Sequence, residues 1–147
     1  MLQNDSVVIN RIGFCGTRYW VDGEVEWPYV PSMDDVIDEM ETGIGIVEPK
    51  DEDLLKRELG RLELSLESMS EFLDTKIAMM HFPPVGADGT RTRAARMLEN
   101  YNIDICVFGH IHAVDKDEIP EIPMEVNGVK YIPTSSDFLA FKPYKVI

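Results

Sequence analysis

Apolar residues change their period several times along this 147-residue chain, and each change marks an element. Leu55, Leu59, Leu62, Leu66, Met69 and Leu73 recur at alternating steps of four and three, which is one face of a helix expected from about Asp51 to Leu73. The stripe carries no consistent charge code on its flanks, so packing on a sheet fits it better than a coiled-coil seam. Upstream, Val7-Val8-Ile9 and Ile12-Gly13-Phe14-Cys15 read as a strand pair around Asn10-Arg11. A Gly-, Trp- and Pro-containing loop from Val21 to Pro31 follows. Ser32 is then placed to cap a short helix whose Met33, Val36, Ile37 and Met40 share a face.

Beyond the leucine stripe, Lys76–Met80 is a short continuous apolar run of the kind found in buried strands, halted by Pro83 and Pro84. Thr90 to Tyr101 is helical in pattern, with Ala94, Ala95, Leu98 and Tyr101 inward, and Ile103–Phe108 is the next strand. Met124 to Ile132 has the form of a hairpin, because Asn127-Gly128 favours a type I′ turn. Phe138–Phe141 and Tyr144–Ile147 are expected to add one more strand. Strand, helix and strand within about 30 residues make a βαβ unit, whose two strands run parallel. The sum is one α/β domain over residues 1–147, a mixed sheet with a βαβ unit and a C-terminal β-hairpin.

Charge narrows the partners. Acidic residues number 27 against 14 basic ones, a net charge of −13, which disfavours general binding to nucleic acid or anionic lipid. No run approaches the ~18–20 apolar residues of a membrane span, and Met1-Leu2-Gln3-Asn4-Asp5-Ser6 does not read as a signal peptide. Cys15 and Cys106 lie in apolar strands without a CxxC partner, so they read as reduced, buried thiols of a cytoplasmic protein. A thiolate ligand role for Cys106 is the alternative.

The chemistry concentrates in the histidines. All three follow apolar strands: His81 in Met79-Met80-His81-Phe82-Pro83-Pro84, and His110 and His112 in Val107-Phe108-Gly109-His110-Ile111-His112. Parallel strands deliver them to one carboxyl edge, where open α/β sheets bind ligands. Gly109 lets the backbone turn after the strand, and the i, i+2 spacing brings His110 and His112 to one pocket if the segment is extended. Neutral imidazole is a common ligand for transition metals, so a site for a divalent Zn, Mn or Fe ion is the expectation. The plainer alternative is three loop histidines, each satisfied by a hydrogen bond. Arg18 either reaches this edge to bind a substrate phosphate through its planar fork or is an ordinary structural arginine. Arg91, Arg93 and Arg96 offer local positive potential; Asp88 and Asp115 are further ligand candidates; Trp20, Trp27 and Tyr29 either line a pocket or pack in the core.

Strand–His81 followed by strand–Gly109-His110-Ile111-His112 resembles the last two motifs of the calcineurin-like metallophosphoesterases. Leu2-Gln3-Asn4, Gly16-Thr17-Arg18-x-Trp20, His81-Phe82-Pro83-Pro84 and Asp137-Phe138-x-x-Phe141-Lys142-Pro143 further resemble a bacterial subgroup of predicted phosphohydrolases. The resemblance implies the C-terminal half of an α/β-β/α sandwich. It implies that His81 and His110 ligate one metal and His112 a second, in a two-metal centre that hydrolyses a phosphate mono- or diester. The family's Asp-x-His, bridging-Asp and Asn-His motifs have no counterpart here, so one metal or none is expected on this chain alone, and no catalytic residue is assigned. Completion by an N-terminal-half partner chain, or association as a homo-oligomer, follows as an expectation. The contrasting reading is a non-catalytic metal-binding or protein-interaction module.

Overall fold

The computed structural model describes residues 2–20, 25–28, 52–112, 114, 117 and 121–147. They form a six-stranded mixed sheet and two helices: β1 (Val7–Ile9), β2 (Ile12–Thr17), α1 (Glu52–Glu67), β3 (Thr75–Met80), α2 (Arg93–Asn100), β4 (Ile105–Phe108), β5 (Met124–Val126) and β6 (Val129–Pro133). The sheet order is β1-β2-β3-β4-β6-β5. β2, β3, β4 and β6 run mutually parallel, and a short antiparallel strand closes each edge. Both hairpins use two-residue turns with positive φ at both positions, Asn10 and Arg11 (50° and 64°) and Asn127 and Gly128 (48° and 84°), the type I′ geometry.

The parallel βαβ unit is present, β3 and β4 pairing from Ile77↔Ile105 to Met80↔Phe108. Alternation along the strands separates two apolar layers. Cys15, Ala78, Cys106 and Tyr131 are fully buried on the face covered by Leu55, Leu62 and Leu66 of α1 and by Ala94, Ala95 and Leu98 of α2. The opposite face carries Ile77, Ile105 and Ile132, with Ile12, Phe14, Val107, Ile122 and Val146 packed beside them. An ion pair from Arg93 of α2 to Glu52 of α1, at 2.8 Å, ties the two helices on their outer side.

The differences from the sequence pattern have local causes. The leucine stripe stays helical only to Glu67, because Met69 donates to the carbonyl of Leu66, tightening the last turn before the chain leaves the axis. Met69 and Leu73 nevertheless pack as the stripe requires: a Cβ on Gly13 would lie 2.7 Å from the Met69 sulfur and 2.4 Å from a Leu73 methyl carbon. Helix α2 starts at Arg93 because Thr92 caps it, its hydroxyl accepting from the Ala95 amide at 3.3 Å and donating to the Pro84 carbonyl at 2.6 Å. The expected strand at 138–141 and 144–147 is absent. Residues 136–141 make successive turns, with Ala140 and Phe141 in left-handed backbone (51° and 56°), and 142–147 have no regular structure. The short helix expected after Ser32 lies outside the described residues. Among the described residues, no helix is long and apolar enough to cross a membrane.

Candidate functional site

Four parallel strands end together, and backbone hydrogen bonds continue beyond them to stiffen that edge. The carbonyl of Arg18 accepts from the amides of His81 and Phe82 (3.2 Å each), His81 O accepts from Gly109 N (3.1 Å), and Phe108 O accepts from Thr134 N (2.7 Å). Each residue after a strand is thereby fixed to the one after the neighbouring strand. Gly16 has φ 154°, a backbone conformation that would aim a Cβ to within 1.9 Å of the Met79 carbonyl oxygen on the neighbouring strand, so only glycine fits. Underneath, Thr17 donates to the buried carboxylate of Glu58 at 2.8 Å, and Arg61 pairs with the same carboxylate. That network anchors the end of β2 to α1.

His81 and His110 meet at this edge. Nε2 of His81 and Nδ1 of His110 lie 3.2 Å apart, with ring centroids separated by 5.0 Å. Two imidazole nitrogens bound to one ion at ~2.0–2.1 Å stand about 2.9–3.4 Å apart in octahedral or tetrahedral geometry, so the pair fits adjacent ligands of a single divalent ion. The turn that makes this possible differs from the one expected. Gly109 does not carry the bend; His110 does, at φ 69°, a left-handed conformation that costs a non-glycine residue roughly 1–2 kcal/mol. Such strain clusters at functional sites, and histidine is among the side chains that tolerate it. Behind both rings lies Phe82, almost fully buried, 4.9 Å from His81 and 4.1 Å from His110 between centroids.

His112 goes elsewhere. The segment is folded rather than extended, with Ile111 N donating to Gly109 O at 2.9 Å. Nδ1 of His112 lies 2.8 Å from Oδ1 of Asp137, in the turns that follow β6. A carboxylate holding Nδ1–H leaves Nε2 bare and outward, the arrangement in which histidine ligands are usually backed. Among the described residues, no three His, Cys, Asp or Glu side chains group closely enough to hold a metal ion together. The structure therefore brings His81 and His110 together as a pair and backs the ring of His112 with Asp137.

Arg18 is exposed at the end of β2, its guanidinium carbon 4.8 Å from the Trp20 ring centroid and 5.7 Å from that of Phe82. No carboxylate among the described residues pairs with it. It lines a cavity of about 580 Å³ together with His81. Trp20 and Trp27 both pack on the helix-side core, and Trp27 donates to the Val85 carbonyl at 2.9 Å, so core packing accounts for them. Arg91 is spent on Glu99 at 3.0 Å and Arg93 on Glu52, leaving little of the expected positive patch. Asp88 closes a turn on Thr90, whose amide and hydroxyl donate to it (2.8 Å each) and hold its carboxyl below the usual range. Burial pushes the Cys106 thiol well above its ordinary pKa in the helix-side core, away from the histidine edge, which argues against a thiolate ligand. Tyr29 and Asp115 lie outside the described residues.

Two residues of this edge had no role assigned from sequence, Asp137 and Phe82. Asp137 lies four positions beyond Pro133, the end of β6, but its arrival here requires β6 to run parallel beside β4. A hairpin signal does not reveal which strand its second arm will flank.

The model of the calcineurin-like phosphoesterase family matches residues 9–114, a span holding Arg18 and all three histidines. The chain belongs to the calcineurin-like phosphoesterase family. The six-stranded mixed sheet with its βαβ unit agrees with that family's α/β architecture, and the family acts on phosphate esters with divalent metals. No curated protein and no solved structure is significantly similar to the chain.

Proposed function

We propose that this phosphoesterase domain hydrolyses a phosphate mono- or diester, with His81 and His110 holding one divalent transition metal and His112 contributing to a second. The carrying observation is the 3.2 Å approach of His81 Nε2 to His110 Nδ1, a spacing suited to two ligands of one ion (Mn, Fe or Zn). The Asp137 contact supports His112 as a ligand through its outward Nε2. When bound, the metals supply Lewis-acid polarisation of the phosphoryl oxygens and an activated water. Arg18, stacked on Trp20 and paired with no carboxylate among the described residues, fits a substrate phosphate oxygen. Water replaces the alcohol at phosphorus, and the products are the free alcohol and phosphate or a monoester.

The remaining ligands come from outside the described residues: from an N-terminal half of the sandwich, on a separate partner or on a longer product of which this sequence is a piece, or from a second copy. Support comes from the donor set: among the described residues no three ligating side chains converge. It comes also from the isoleucine-lined sheet face, where Met79 is 47% exposed although parallel sheets ordinarily bury both faces. The two buried free thiols accord with a reducing compartment, the cytoplasm. The same lack of a three-residue cluster favours a second reading, a non-catalytic metal-binding module.

Titration with Mn²⁺, followed by hydrolysis of p-nitrophenyl phosphate and its bis ester, separates them. Metal binding by the chain, with turnover appearing once a partner half is supplied, is the expected result. Metal bound without turnover in any assembly favours the binding module. Full activity as an isolated monomer removes the partner.

A further inference from the structure

A short antiparallel strand closes each edge of the sheet, and the two edges are built differently. In a two-residue hairpin the residues flanking the turn exchange both backbone hydrogen bonds, and bonded and non-bonded pairs alternate from there. In the first hairpin Ile9↔Ile12 flanks the turn, so Val8↔Gly13 is a non-bonded pair and the N–H and C=O of Val8 point away from β2. In the last hairpin Val126↔Val129 flanks the turn, and the residue pointing outward is Glu125. Among the described residues β1 pairs with β2 alone and β5 with β6 alone.

An outward N–H and C=O on one residue are a template for another antiparallel strand. A two-fold pairing centred on that residue sets it against its own copy. At β5 this opposes Glu125 to Glu125, like charges face to face. At β1 it opposes Val8, 48% exposed on the helix side of the sheet, to Val8, and Val7 to Ile9. It also lays Asp5 of each copy beside the hairpin tip of the other, where Arg11 stands. Both side chains are exposed, and Asp74 takes two of the five guanidinium donors. Neither proline nor charge interrupts Val7-Val8-Ile9. The chain before β1 turns to the helix layer, where the Asp5 carbonyl accepts from Ser65 of α1.

We propose that β1 is the seam of a two-fold homodimer, in which Val8 exchanges both backbone hydrogen bonds with Val8 of the second copy and Asp5 pairs across the seam with Arg11. This copy is not the one that could complete the metal site. Antiparallel pairing sends the two carboxyl edges in opposite directions, with β3 and its counterpart five strand spacings apart, roughly 24 Å. The seam uses the strand edge and leaves the isoleucine-lined face of both copies to the missing half of the sandwich.

Sedimentation equilibrium of the full chain over a concentration series tests it, and should show a reversible monomer–dimer transition. Val8→Pro removes the outward N–H, which β2 does not use, and should weaken the dimer about tenfold or more while the circular dichroism of the monomer is kept. Asp5→Lys should weaken it severalfold, an effect that shrinks in high salt. Register is read separately, because Val7 and Ile9 would face each other as a close non-bonded pair across the seam. A mixture of Val7→Cys and Ile9→Cys chains should therefore oxidise to a cross-linked dimer faster than either variant alone. A chain that stays monomeric throughout overturns the proposal, and so do cysteine variants that cross-link no faster mixed than alone. A dimer that survives Val8→Pro lies elsewhere on the chain, and the seam falls while the missing-half reading stands.

Discussion

His110 and His112 are two residues apart and end up in different chemical company. His110 faces a second imidazole across 3.2 Å and rests on a buried phenylalanine; His112 faces a carboxylate across 2.8 Å. The first arrangement sets two ring nitrogens within 3.2 Å of each other, and it is held by packing and a left-handed backbone. The second fixes a tautomer through a charge-assisted hydrogen bond and leaves the other nitrogen outward. Identical side chains in one tetrapeptide thus become a paired donor and a single backed donor, and backbone conformation makes the difference.

The comparison breaks most decisively at the pair. His110→Ala should cost more than about 100-fold in Mn²⁺ affinity at the His81 station, beyond the 10–100-fold typical of an outer partner, and His81→Ala should match it. Unchanged metal stoichiometry by calorimetry in either variant would sink the paired-donor assignment. Asp137→Asn should act on the other station alone, lowering affinity there by about 10–100-fold while the His81 station keeps its own. An equal loss at both would mean that the two stations are one. Phe82→Leu tests the packing that holds the pair: about 1 kcal/mol of stability in a denaturant titration, with a severalfold weaker His81 station and His112 unaffected. The smallest effect is expected beneath both stations. Burial pushes the Cys15 thiol up to about 12 and raises Cys106 as well, so at pH 8 neither should react with iodoacetamide until the protein unfolds. Labelling at the rate of a free thiol in native protein would show that the platform opens.

Periodicity made the elements legible because burial imposes it. The leucine stripe, the apolar runs before His81 and His110, and Asn127-Gly128 each depend on neighbours close in sequence, and each yields the element expected. The long helix ends before its apolar stripe does, because Met69 and Leu73 serve the same core from a non-helical path. The supposed last strand failed because Phe138 and Phe141 have strand-like composition, while positive φ at Ala140 and Phe141 bends the chain into turns. At the site, convergence of the histidines on one edge followed from parallel strands alone. Their division into a pair and a single ring depends on the φ of His110 and on where β6 lands. Neither quantity leaves a periodic trace in the residue order.

Gly16 carries one further consequence, for the interpretation of natural variants. It has no functional group and lies two positions before Arg18, yet any side chain there collides with the Met79 carbonyl across the strand pair. The displaced β2 would take Arg18 with it, and with Arg18 the backbone carbonyl that receives the His81 and Phe82 amides. A survey scoring substitutions by lost turnover would rank Gly16 among the reactive residues, although its whole contribution is the width of a hydrogen atom.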